Sequence, residues 1–216
     1  MKLYLSSFLI GDTPDELVRL AGGRGAVTGC ITNAGDQWPS TKADRDAGQI
    51  LALRAIGLDA HEIDLREFFG APQDLRAELI NCQALWVRGG NTFVLRRAML
   101  ASGFDDVARP LIETNNLLYA GYSAGACVAA PTLRGIEMMD NPSFVPDGYA
   151  AEVPWDGMGL VDYSIAPHYR SDHPESDDTE KVVAYYEAHK VPYRRLRDGE
   201  VIVVETLCAN LDLDTL

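Results

Sequence analysis

Short apolar runs recur along the chain, separated by longer stretches in which apolar residues return every third or fourth position. The short runs at 3–5, 25–32, 60–65, 84–87, 117–120 and 163–166 predict strands. The longer stretches predict helices opening after Thr13 and Ser40 or Thr41, at 73–81, from Thr92 through Phe93, Leu95, Met99 and Leu100, and at 105–114, 124–130 and 178–189. Local chemistry marks several ends. Thr13 reads as an N-cap, with Pro14 at the first helical position and Glu16 closing a capping box; Gly22 with Gly23, and later Gly57, read as helix stops. The segments 193–196 and 201–205 read as a closing hairpin, with Asp198-Gly199 in its turn. Strands alternating with helices specify an α/β fold: a mostly parallel sheet with helices on both faces, organised as one domain over 1–216. The loosest stretch, 138–159, is rich in Pro, Gly and Asp, and is read as a loop either beside the active site or merely on the surface.

Composition narrows the setting. The chain has 216 residues, 47% hydrophobic and 24% charged, with a formal net charge of −13. That charge repels phosphate backbones, and no Lys/Arg run offsets it, so nucleic acid is not an expected partner. No stretch has the length of a membrane span, so no membrane partner is expected. The first ten residues read as a strand rather than a leader, because Ser6 and Ser7 interrupt the apolar run and no small-residue cleavage site follows. Cys30, Cys82, Cys127 and Cys208 form no CxxC pair and read as free thiols of a reducing compartment, which places the protein in the cytoplasm.

The chemistry concentrates at Gly121-Tyr122-Ser123-Ala124-Gly125. Gly-x-Ser-x-Gly between a strand and a helix is the nucleophile-elbow pattern. A tight turn lifts the hydroxyl above the sheet, small neighbours relieve the crowding, and the free amides of the next helix can hold an oxyanion. A serine nucleophile needs a base. Of His61, His168, His173 and His189, the favoured one is His168, just past the strand 163–166, because α/β proteins place their sites at the C-terminal ends of strands. The acid that would orient the base is left open among Asp140, Asp162, Asp172 and Asp198. Arg88-Gly89-Gly90-Asn91-Thr92-Phe93 is a second strand-to-helix turn, able to supply another oxyanion amide. It lacks both the dinucleotide spacing and the lysine of a phosphate loop, so no cofactor is expected. The histidines and cysteines show no ligand spacing, so no metal is expected.

Three segments together resemble the peptidase E family of serine dipeptidases, which includes cyanophycinase. They are Gly89-Gly90-Asn91-Thr92-Phe93; Gly121-Tyr122-Ser123-Ala124-Gly125-Ala126 followed by Pro131-Thr132-Leu133-Arg134; and Pro167-His168-Tyr169. The resemblance implies a fold like the class I glutamine amidotransferase domain and hydrolysis of short peptides, in peptidase E those with an N-terminal aspartate. It implies Ser123 as nucleophile, His168 as base and the amides of Gly90 and Ala124 as oxyanion hole. Asp198 falls where the family carries its acid before a late strand; Glu137 and Asp140 are nearest to an alternative position shortly after the elbow, which Met138 occupies in the direct match. Asn91 and Thr92 are carried over as substrate-binding residues. Aspartyl-specific members carry an arginine in the helix lead-in after the histidine, whereas this chain has the acidic stretch 174–180, with Arg170 as a substitute cation. The chain also ends soon after Glu205, short of peptidase E by about a strand pair. The expected partner is thus a short peptide substrate, with a homodimer admissible. Two other readings stand beside this one: an α/β-hydrolase-type esterase, with Asp140 or Asp162 as acid and His168 or His189 as base, and a non-catalytic small-molecule-binding protein of the same fold.

Overall fold

The computed structural model describes residues 1–206. The ten that follow, Cys208 among them, lie outside the described residues. The first half of the chain alternates β1 (Lys2–Ser6), α1 (Pro14–Leu20), β2 (Val27–Ile31), α2 (Pro39–Ala55), β3 (Asp59–Ile63), α3 (Pro72–Leu79), β4 (Ala84–Val87) and α4 (Thr92–Ser102). Then come α5 (Phe104–Glu113), β5 (Leu118–Tyr122), α6 (Ala124–Cys127), β6 (Ser164–Ala166), α7 (Ser176–His189), β7 (Tyr193–Arg195) and β8 (Val201–Glu205). The main sheet has the order β3-β2-β4-β5-β1-β8, parallel except for β8, which pairs antiparallel with β1 at one edge.

Alternation along the strands divides the core in two. Leu3, Leu5, Ile31, Leu85, Val87 and Tyr119 point to one face, where Phe93, Leu95 and Met99 of α4, Leu75 and Leu79 of α3 and Val182 of α7 cover them. Tyr4, Cys30, Ala84, Trp86, Leu118 and Ala120 point to the other, covered by Leu17 and Leu20 of α1 and Leu53 of α2. Every residue of β4 and β5 is buried, as a parallel sheet covered on both faces requires. The central strands β1, β4 and β5 therefore end side by side, and their C-terminal edge carries Ser7, Arg88 to Gly90 and Ser123.

Several local expectations are corrected. The closing hairpin does not form. β7 instead pairs in parallel with β6 in a separate two-stranded sheet, while β8 crosses over to cover the edge strand β1. The helix expected over 124–130 stops after Cys127, because the carbonyls of Val128, Ala129 and Ala130 accept amides from Met158, Leu160 and Gly159 of the returning loop. Thr13 precedes α1 without capping it; its hydroxyl lies 3.1 Å from that of Tyr4. Pro39, not Ser40 or Thr41, opens α2. The loop 138–159 is held by arginines of α4: Arg97 donates to the carbonyls of Ala150 and Pro142, and Arg96 to that of Asp156. Cys30, Cys82 and Cys127 are free and buried; burial pushes the Cys30 thiol up to about 12. Among the described residues no helix is long and apolar enough to cross a membrane.

Candidate active site

The turn after β5 is strained in the way the sequence pattern anticipates. Ser123 has φ 46° and ψ −113°, a conformation that costs a side-chain-bearing residue on the order of 1–3 kcal/mol. Its neighbours must be glycines for steric reasons. A Cβ on Gly121 would meet the Val87 carbonyl oxygen at 2.8 Å, and one on Gly125 would meet the same oxygen at 2.1 Å. The elbow is thus wedged against the end of β4. Ser123 is 8% exposed, with its hydroxyl turned to a cavity of about 160 Å³.

Across that cavity stands His168, in the left-handed region at φ 60° and 1% exposed. Its Nε2 lies 3.1 Å from Ser123 Oγ, and its Nδ1 lies 2.7 Å from Asp198 Oδ1. A proton on Nδ1 donated to the carboxylate leaves Nε2 free to accept from the serine. Burial pulls the His168 pKa below the ordinary imidazole value, and the Asp198 hydrogen bond partly opposes that pull.

The small β6–β7 sheet brings His168 and Asp198 together. Ala166 pairs with Arg195, and the ladder continues through Leu196 N–H to Ala166 O and Tyr169 N–H to Leu196 O, both 2.9 Å. His168 lies between the last two rungs of this ladder, and Asp198 two residues beyond Leu196. Ser7, fully buried at the end of β1, joins them: its hydroxyl accepts the His168 amide at 2.8 Å and donates to Asp198 Oδ1 at 2.9 Å. The Asp198 amide in turn donates to Ser171 Oγ.

The other side of the cavity is the turn after β4. Gly90 has φ 144°, and a Cβ there would fall 2.3 Å from the Ala34 carbonyl oxygen, so only glycine fits. Among the described residues, the amides of Gly90 and Ala124 donate to no protein acceptor. Phe8, Trp38, Arg45, Tyr122, His173 and Glu175 complete the wall.

A family model described as peptidase family S51 matches residues 49–211. The chain belongs to peptidase family S51. A relative from Listeria innocua, an uncharacterized peptidase, is 32% identical over 160 residues, covering 70% of this chain and 72% of its own. A probable alpha-aspartyl dipeptidase of Drosophila melanogaster is 31% identical over 61% of this chain, and a peptidase E of Streptomyces coelicolor 32% over 61%. These two matches span only about half of those relatives, 54% and 53%, and that to a peptidase of Listeria monocytogenes spans 62% of its length. A crystal structure described as a peptidase E protein of Listeria monocytogenes superposes with a TM-score of 0.72 at 23% identity, over 95% of this chain and 98% of that one, which shows a shared fold.

On this S51 framework the expected site residues fall in two groups. Ser123, His168 and Asp198 converge, and Gly90 and Ala124 line or adjoin the same cavity. Asn91, Thr92 and Arg170 are engaged elsewhere. The Asn91 carboxamide caps α4 through the amides of Phe93 and Val94 and donates to Gln37 Oε1, and the Thr92 amide donates to Asp140. Arg170 is exposed and paired with Glu180 at 2.8 Å. Of the other acids, Asp140 braces the Gly-Gly-Asn-Thr turn and is pushed up to about 6 by burial, and Glu137 accepts the Gly135 amide. Asp162 lies beside Arg194 and Val203, away from the cavity. His61 pairs with Glu78, and His189 stacks on Tyr185.

Ser7 enters the site without any role having been expected of it, His173 enters it although it was not the favoured base, and Glu175 is the acid of the stretch 174–180 that lines the cavity. The strand-end rule that favoured His168 applies equally to Ser7 and would have found it. His173 stacks on His168, with ring centroids 3.7 Å apart and planes 7° from parallel. His168, His173 and Glu175 together bring ligand-type atoms within 4.8 Å of one another. Parallel rings cannot aim their in-plane lone pairs at one ion, so this grouping does not have the geometry of a metal centre. A larger cavity, about 630 Å³, lies between α4 and residues 150–156; its arginines are already bonded to loop carbonyls, and it holds no nucleophile beside a base.

Proposed function

We propose that the protein is a serine-type peptidase that hydrolyses short peptides, in the manner of a dipeptidase, through an acyl-enzyme on Ser123. The observation that carries this reading is the single line from Ser123 Oγ through His168 to Asp198 on a strained elbow. His168 Nε2 takes the hydroxyl proton as Oγ attacks the scissile carbonyl carbon, and Asp198 holds the Nδ1–H tautomer and balances the imidazolium. The amides of Gly90 and Ala124 receive the developing oxyanion, each worth about 3 kcal/mol. The protonated His168 then gives its proton to the departing amine, and water repeats the sequence to release the acid. The cavity of about 160 Å³, walled by Phe8, Trp38 and Tyr122, suits a short substrate.

The reading is tested by a fluorophosphonate probe together with a panel of dipeptides. Wild type is expected to take the probe covalently at Ser123 and to turn over at least one dipeptide. Absence of both would return the chain to the binding-protein reading.

Two further results are expected. In the free enzyme the His168 imidazole should titrate below pH 6.5, followed by the NMR shift of its ring protons, because burial lowers its pKa; a titration above 6.5 would contradict this. Asp198 raises that pKa, so in Asp198→Asn the titration should move further down. Ser7→Ala should lower kcat roughly tenfold and stability by about 1–3 kcal/mol, since it leaves a buried amide without its acceptor. Equal kcat with reduced stability would make Ser7 purely structural.

A further inference from the structure

The Glu175 carboxylate faces the cavity, and among the described residues no lysine or arginine pairs with it. Its Oε2 lies 3.7 Å from His168 Nε2, beyond hydrogen-bond length, and its side chain is 37% exposed. Neighbouring cations are engaged elsewhere: Arg170 with Glu180, Lys181 with Asp178 and Arg88 with Asp46. Arg45, at the mouth, lies over Trp38. The charges around Glu175 add to the imbalance, since Asp140, Asp178 and Asp198 all repel it. Burial, with these three, pushes it up to about 7. Its own amide donates to His173 Nδ1, which fixes the backbone where the side chain leaves for the cavity. A carboxylate held in this way is stabilised by a cation delivered with the substrate.

Position identifies that cation. The distances from Glu175 Oε2 to His168 Nε2 and from there to Ser123 Oγ place the carboxylate within about 7 Å of the nucleophile. In an attack-ready peptide the scissile carbonyl carbon sits roughly 3 Å from Oγ. The amino group of the same residue is two bonds further on.

We propose that Glu175 binds the free α-ammonium of the residue on the acyl side of the scissile bond, so that the site takes unblocked peptides whose first residue bears no side-chain carboxylate. The proposal rests on the serine-peptidase reading above and deepens it. A blocked amine would leave Glu175 unpaired beside an amide. A first-residue carboxylate beside that ammonium would be repelled by Glu175, while Arg45, which also lines the cavity, stands over Trp38 at its mouth.

The test compares alanine, N-acetyl-alanine and aspartate p-nitroanilides on wild type and Glu175→Gln, with isothermal titration of Ala-Ala and N-acetyl-Ala-Ala into Ser123→Ala. Wild type is expected to favour the free alanine substrate over both others by about 100-fold or more. Glu175→Gln should reduce that preference roughly 10- to 100-fold, through KM rather than kcat, the range expected for a hydrogen bond to a charged group. Ser123→Ala should bind Ala-Ala more tightly than its acetylated form, and Ser123→Ala/Glu175→Gln should lose the difference. Preference for the aspartate substrate, an equal loss on free and blocked substrates in Glu175→Gln, or no binding of Ala-Ala would overturn the proposal. Fluorophosphonate carries no amine, so labelling of Ser123 reports separately on the underlying peptidase reading.

Discussion

Ser123→Ala is expected to lower kcat on a dipeptide by about 10⁴- to 10⁶-fold, the range for removing a serine nucleophile that acts together with its base. The fold should survive the change. Alanine can occupy the same backbone position as serine, the hydroxyl faces a cavity rather than the core, and the glycines that seat the elbow are untouched. The variant should therefore elute and melt like wild type while failing to take a fluorophosphonate. Asp198→Asn should cost about 10⁴-fold by the same logic, because an amide no longer fixes the Nδ1–H tautomer of His168. The two losses should not add, since both break one proton-transfer chain. Retention of more than about a tenth of wild-type kcat in Ser123→Ala would remove the serine from the mechanism.

Gly125→Ala should be among the most damaging single methyls in the described part of the molecule. The added carbon would stand 2.1 Å from the Val87 carbonyl oxygen and 2.8 Å from its carbon, both backbone atoms of a fully buried central strand. Neither strand nor elbow can yield without breaking the β4–β5 ladder, so a cost of at least about 3 kcal/mol is expected. For a chain of this size that corresponds to a drop in melting temperature of roughly 6–12 °C. Activity should fall with it, because relief of the clash would move Ser123 away from His168. Gly22→Ala is a control for the introduced methyl: nothing lies within 4 Å of its Cβ position, and only its φ of 104° opposes the change. A Gly125→Ala protein that melts within 2 °C of wild type would show that the elbow is looser than its contacts imply.

Both predictions rest on a feature that is local in the chain and was legible there. The apolar run 117–120, the small residues on either side of Ser123 and the apolar stretch after it specify strand, tight turn and helix start through nearest-neighbour sterics alone. The same holds for the succession of strands and helices, since burial on both faces shows as continuous apolar runs in β4 and β5. His168 was reached by its place after a strand, although that strand belongs to a small second sheet and not to the main one.

What the chain could not show by itself is how its last third closes over the site. Residues 193–205 carry two strand-like runs around Asp-Gly, which is also how a plain hairpin looks. Only the three-dimensional arrangement gives β7 to β6 and β8 to the open edge of β1, and that division carries Asp198 to His168 and sets Ser7 between them. Glu175 was likewise one of several acids in the stretch 174–180, where the resemblance expects an arginine, and only the turn before α7 decides that this acid lines the cavity. The physical difference is one of range. Backbone sterics and side-chain period act over a few residues and are written in the sequence, whereas partner choice among short strands depends on which edges remain uncovered once the rest of the sheet has formed.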